Sequence, residues 1–469
     1  MIQQRMVVPA SLRVATLIGA GLLSSYVFAQ DARACGGCFN PPQPPNENPT
    51  VITDHRMILT ISQQESTLWD QIEYSGEPSS FAWVLPISGA VRVGLSADSV
   101  FKNLDQLTAT TIIAPPLDCP PPPPSSSSGC SSTTSASAQS APGGFPHDAG
   151  VEVTSREVVG PYETVQLKAT DANALESWLA KNGFVIPPDV KPVVDAYVSE
   201  KFDFLALRLV PGKGVQDMRP VRVTTPGANV VLPLRMVAAG TGPVVGITLW
   251  VVGEGRYEPQ NFPSFRIQDE EIVWDWGQSR TNYVELRAQK ALALGGRGWE
   301  IESSTSPTPA LVQALFPLSD NGASLDYEPD DAAGKSAPQV RVEDLAALFA
   351  GRALEDTRIT RLRADLSHEA LASDLVMTAS HDQSVLARER QAVGEAGQPL
   401  CPAYSNGKLI GTLPRDQARA YAARHESFSC VTGRGSRSSF WLGGVVAALA
   451  LAAARRWRRR RSRQAWNQF

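Results

Sequence analysis

Alternation of apolar and polar residues dominates the first third of the chain. Val51–Ile61 is apolar at most positions and reads as a strand, and Thr67–Tyr74 alternates as a half-buried strand does. The apolar Phe81–Pro86 run follows a Ser75-Gly-Glu-Pro78 turn, so the spacing predicts a hairpin or meander. Phe101, Leu104 and Leu107 recur at helical spacing and predict a short amphipathic helix over Ser99–Leu107. Further strands are expected at Val151–Val159, Glu163–Lys168, Phe202–Val210, around Val221, at Val230–Val237 and at Val244–Val252. Helices are expected at Ala172–Lys181, Asp189–Glu200 and Arg341–Leu354. Gly295–Ala337 reads as turn-rich, Thr357–Leu366 alternates as a strand, and Leu371–Thr378 precedes the last turn. Meanders with helices between them, lacking regular strand-helix-strand alternation, predict an α+β fold of mainly antiparallel sheets with inserted helices.

Two apolar runs at the ends fall outside this pattern. Arg5 and Arg13 precede or flank Val14–Leu23, and Ala32-Arg33-Ala34 stands directly before Cys35, the layout of a secretory signal peptide over 1–34. Phe440–Ala454 is apolar and is followed by seven arginines between Arg455 and Arg463. It predicts one C-terminal transmembrane helix over 440–454, with the Arg-rich tail 455–469 in the cytoplasm and the body outside. As a helix the run is about 22 Å long, short against a hydrocarbon core of about 30 Å. The exported part divides into a strand-rich section 35–118, a Pro/Ser-rich disordered loop 119–150, an α+β remainder 151–388, and a linker with a small helix over 389–439. The order of Cys430, Gly433-Arg-Gly435, apolar run and Arg cluster resembles the C-terminal sorting signals of bacterial surface proteins, especially those of myxobacteria. That resemblance implies removal of the tail and transfer to the cell surface. The expected partners are therefore the membrane, through the C-terminal helix, and a sorting or processing machinery.

Charge and cysteine usage sharpen the compartment. The 469 residues carry a net charge of −4, but twelve of the 43 basic residues and only one acid lie outside 35–430, leaving the body near −15. Such a surface repels phosphate backbones, so no nucleic-acid partner is expected. Six cysteines fit an oxidising compartment. Their spacing suggests three local disulfides, Cys35 with Cys38, Cys119 with Cys130, and Cys401 with Cys430. The Cys35-Gly-Gly-Cys38 pair also carries the alternative reading, an envelope thiol-disulfide redox protein. Phe39 stands where haem attachment needs His, the setting is Pro-rich rather than a helix N-terminus, and no second pair completes a zinc site.

Cys35-Gly-Gly-Cys-Phe39, His55-Arg-Met57, Phe81-Ala-Trp-Val-Leu-Pro86 and Thr360-Arg-Leu-Arg363 with Asp374-Leu375 resemble a bacterial envelope family known as domain-of-unknown-function family 2330. The resemblance implies secretion and the cysteine pair, and brings no activity or catalytic residues.

Catalytic constellations fail one after another. The five histidines are too scattered for a His-Glu-x-x-His helix, no Gly-x-Ser-x-Gly elbow exists, and Pro329 stands where a phosphate loop ending at Gly334-Lys335-Ser336 needs its first Gly. Asp326, Glu328 and Asp330 alternate like calcium ligands, but Asp331 and Ala337 occupy the Gly and Glu positions of a calcium loop. Two candidate sites remain. Asp54, His55, Arg56 and Asp70 on the first two strands make a polar site, and Trp250, Tyr257, Trp274 and Trp276 make an aromatic platform for a carbohydrate or surface-protein partner. No cofactor or metal is expected. The sequence points to a non-enzymatic binding or structural module of the envelope.

Overall fold

The computed structural model describes residues 38–39, 51–75, 82–121 and, with short interruptions, 156–426. These fall into two compact units. The first draws on Met1–Pro115 and Ser132–Gly397, the second on Pro116–Ser131 and Gln398–Phe469.

An eight-stranded mixed sheet organises the first unit. Its order is Ser264–Phe265, Trp299–Thr305, Arg358–Ser367, Val244–Gly253, Val51–Ile61, Glu65–Ser75, Val221–Pro226 and Arg92–Leu95. Neighbours are antiparallel except at two joints, where Val244–Gly253 runs parallel to Val51–Ile61 and Ser264–Phe265 parallel to Trp299–Thr305. Val244–Gly253 is central and apolar almost throughout because both of its faces are covered. Ile247, Leu249 and Val251 point into one core with Met57, Leu59, Leu362 and Leu375. Trp250 and Val252 point into the other, beside Ile58, Trp69, Phe101 and Leu348. Helices Asp98–Thr108, Pro309–Leu315 and Ala337–Phe349 supply apolar residues to that second core.

A five-stranded antiparallel sheet orders Cys38–Phe39, Ala82–Ile87, Asp203–Leu209, Tyr162–Leu167 and Arg156–Val159. Ala82, Val84, Phe204 and Ala206 on one of its faces pack against Leu175, Leu179, Val194 and Tyr197 of helices Ala172–Lys181 and Lys191–Ser199. The fold is thus α+β with mostly antiparallel strands, as the periodicity predicts.

Several expected elements are placed differently. Ala82–Ile87 forms no hairpin with the preceding strand. It pairs with Asp203–Leu209, while Glu65–Ser75 lies between Val51–Ile61 and Val221–Pro226. All six of its residues are buried, which suits a strand covered on both faces better than a surface hairpin arm. Only Val231–Leu232 of the expected Val230–Val237 strand is extended, because Pro233 leads straight into the short helix Leu234–Val237. The stretch read as turn-rich, 295–337, contains the buried strand Trp299–Thr305 and the helix Pro309–Leu315. Thr308 caps that helix through the Leu311 N–H, with Pro309 in its first turn.

The second unit holds the expected small helix, preceded by a hairpin. Hairpin Leu400–Ser405/Lys408–Pro414 runs directly into helix Arg415–Glu426. Cys401, buried in the hairpin, is bonded to Cys119 across 282 residues of sequence, with Cα atoms 5.4 Å apart. This corrects the two local pairings of Cys119 with Cys130 and Cys401 with Cys430. Disulfides follow Cα separation in space, and here the hairpin brings Cys401 to Cys119. Arg419 of the following helix pairs with Asp118 beside it. Cys130, Cys430, the signal segment and Phe440–Ala454 lie outside the described residues. Among the described residues no helix is long and apolar enough to cross a membrane.

Candidate functional site

Of the expected polar site, the structure brings together His55 and Asp70. Met57 lies opposite Asp70 across the first two strands, so His55, two residues away, is a diagonal neighbour on the same face. His55 Nδ1 sits 3.3 Å from Asp70 Oδ1, and His55 is 0% exposed. Arg56 projects to the opposite face, and the side chain of Asp54 lies outside the described residues, as do those of Cys35 and Cys38. A cavity of about 40 Å3 touches Asp70, walled by Trp83, Tyr162 and Met218. That volume has room for water rather than for a substrate, whose pockets measure hundreds of Å3. The His55–Asp70 pair therefore ties two strands together in the interior.

The expected aromatic platform separates into three places. Trp250 is buried against Phe101 in an edge-on contact, with its Nε1–H donated to Thr108 Oγ1 at 2.7 Å. Tyr257 packs on the opposite core. Trp274 and Trp276 do share a strand region, with centroids 6.0 Å apart, but their planes meet at 69° and offer no flat surface. Trp276 donates to Glu395.

Two buried polar clusters were not singled out from the sequence. The first centres on Asp344, 1% exposed, in helix Ala337–Phe349. Its Oδ1 accepts from Trp69 Nε1 at 2.6 Å and from Arg222 Nη1 at 3.2 Å. Its Oδ2 accepts from Tyr327 OH at 2.7 Å and from Ser96 Oγ. Burial and the neighbouring Asp344 carboxylate push the Tyr327 hydroxyl pKa up, so it remains a donor. Four donors converge on one carboxylate, which is how an interior charge is tolerated.

The second cluster lies on Trp299–Thr305. Glu300 and Glu302 are both buried, and a bulge in the pairing with Arg358–Ser367 between Ile301 and Ser303 sets Glu302 beside Arg361. Tyr283 donates its hydroxyl to Glu300 Oε1, while Glu300 Oε2 has no protein partner. Burial, reinforced by the charge of Glu302, pushes Glu300 up to about 7. Glu302 pairs with Arg361, whose Nη1 also reaches Asp105 Oδ1 at 2.7 Å and whose guanidinium lies 5.2 Å from the Trp250 ring centroid. Burial works against the Arg361 charge, but Glu302 and Asp105 outweigh it and hold its pKa above the ordinary value. A carboxyl near 7 beside a carboxylate and a tyrosine has the chemistry of an acid–base pair. Glu300 is only 1% exposed, however, so the proton it holds is a structural one.

Open concavities lie elsewhere in this unit. One, of about 630 Å3, is lined by Glu254, Arg352, Asp356 and Arg358 at one end of the large sheet; another, of about 440 Å3, is lined by Arg256, Arg266 and His381.

A family model described as an uncharacterized protein conserved in bacteria (DUF2330) matches residues 30–301, more than half of the chain. The chain belongs to the DUF2330 family. No curated protein and no solved structure matches it. The DUF2330 match takes in His55, Asp70, Glu300, Arg256 and Arg266, and it ends before Arg361, Asp344 and the Thr360–Arg363 and Asp374–Leu375 segments. The Trp-Glu-Ile-Glu alternation at 299–302 was the available sign of a strand with a carboxylate face. Asp344 gave none, since an acid in an amphipathic helix ordinarily marks the solvent side.

Proposed function

We propose that this DUF2330 protein is an exported envelope protein whose body serves as a non-enzymatic binding module, held at the membrane or sorted to the surface by its C-terminal segment. The observation that carries the reading is the closure of its reactive-looking groups. Among the described residues His55, Asp344 and Glu300 are each at most 1% exposed, so acid–base chemistry at these three groups has no substrate within reach, whereas the open concavities are lined by charged side chains fit for recognition. The Cys119–Cys401 disulfide supports an extracytoplasmic location, because such bonds persist in oxidising compartments. It involves neither Cys35 nor Cys38 and lends the redox alternative no support.

Thiol blocking in intact cells tests the compartment. A maleimide reagent that adds mass is expected to leave Cys119 and Cys401 unlabelled until a reductant is added after denaturation. Full labelling of both without reductant places the chain in a reducing compartment and overturns the proposal. Robust hydrolase or oxidoreductase turnover by the purified chain overturns the non-enzymatic part.

A further inference from the structure

The 440 Å3 concavity contains an arrangement that neither the fold nor the buried clusters require. Arg256, 3% exposed, is fixed at its wall. Its Nη2 lies 2.7 Å from Asp382 Oδ2, its Nη1 donates to Ser384 O at 3.2 Å, and its backbone N–H donates to Gln383 Oε1 at 2.7 Å. The bond from the Ser384 N–H, and after it the bond from Arg256, hold the Asp382 carboxyl well below the usual carboxylate range, so it stays ionised as the counter-charge to Arg256. Arg266 lines the same concavity. Its Nε–H is buried without an acceptor, as is that of Arg256.

Arg266 differs from its neighbours in its ion pairing. Asp382 is engaged by Arg256, and Asp269 is engaged by Arg390, whose Nη2 lies 2.5 Å from it. Glu258 gives the three guanidinium groups a third carboxylate, but Arg266 makes no ion pair among the described residues. Burial, then Arg390 and Arg256, drive the Arg266 pKa down, which marks a place where a further negative charge is favoured. The other carboxylate of the concavity, Glu258, accepts from Ser380 Oγ at 2.9 Å. Ser264, Gln268 and His381 complete a wall rich in hydrogen-bond donors.

We propose that this concavity binds a small oxyanion-bearing molecule, a carboxylate or a phosphate, between Arg256 and Arg266. The planar guanidinium fork of Arg266 matches either group, while Arg256, whose Nη atoms are held by Ser384 and Asp382, contributes its charge. An oxyanion there supplies the partner that Arg266 lacks among the described residues. The volume suits a small molecule rather than a polymer, and the acidic body repels polyanions. This deepens the binding-module reading and rests on it. The two tests fail separately, since thiol blocking reports the compartment and anion titration reports the concavity.

The test titrates the full chain, purified in mild detergent at constant ionic strength, with inorganic phosphate and separately with succinate, read by calorimetry. Saturable binding of at least one probe is expected. Arg266→Gln is expected to weaken it at least tenfold, Arg266→Lys less, and Arg280→Gln, at an exposed ion pair, not at all. Unchanged melting of the probe-free variants shows that they fold. Preference for one probe identifies the group recognised. No saturable binding of either probe, or equal affinity in Arg266→Gln, overturns the proposal.

Discussion

Replacing Asp344 by Ala is expected to destabilise the chain by roughly 3–5 kcal/mol, the cost of removing one partner from a buried charge pair. The substitution strips the acceptor from Trp69 Nε1, Ser96 Oγ, Tyr327 OH and Arg222 at once. Each donor is buried and cannot turn to water, so the loss exceeds that of an ordinary hydrogen bond. Arg222 retains Glu343 at 3.1 Å, which limits the damage to its charge. Asp344→Asn, which keeps the shape and one carbonyl acceptor, should fall between the two. Chemical denaturation followed by tryptophan fluorescence measures both. A loss below about 1 kcal/mol for Asp344→Ala, the range of an ordinary hydrogen bond, would contradict the role given to this carboxylate.

The second large effect depends on pH. Glu300 has its pKa raised from 4.5 to about 7 in the folded chain, first by burial and then by Glu302. The folded state therefore holds this proton more tightly than the unfolded state does. Its contribution to stability is fully present below pH 4.5 and is lost as pH rises through 7, a decline of about 3 kcal/mol across that window. Glu300→Gln removes the titration, and its amide keeps an acceptor for Tyr283 while placing N–H donors near the charge of Glu302. The variant should melt above the parent at pH 8 and near it at pH 4.5. Parallel melting curves across that range for the two proteins would show that Glu300 does not carry the proton.

Strands with clean periodicity were legible in the sequence: Val51–Ile61, Val244–Gly253 and Arg358–Ser367 fall within a residue or two of the expected positions. Helix Asp98–Thr108 was equally plain, because Val100, Phe101 and Leu104 form one buried stripe. Pairing was not legible. Ala82–Ile87 follows a good turn signal, yet its apolar faces find a different sheet, and no local pattern specifies a partner more than a hundred residues away. Trp299–Thr305 was missed because Glu300, Glu302 and Ser303 read as surface residues. Their burial depends on Tyr283, Arg361 and Asp105, which come from three distant segments. Of the polar site, sequence proximity in a strand pair found His55 with Asp70, while the guanidinium groups at 256, 266 and 390 meet only through the fold.

The Cys119–Cys401 bond has a topological consequence. Everything between the two cysteines, including the later strands of both large sheets and helices Pro309–Leu315 and Ala337–Phe349, belongs to one covalent loop whose ends meet in the second unit. A protease cut anywhere inside that loop leaves two fragments still joined, and only reduction releases them. In the exported state proposed above, a nick between elements leaves a wounded but undivided molecule, with the described residues after Cys401 still attached to the strands that precede Cys119.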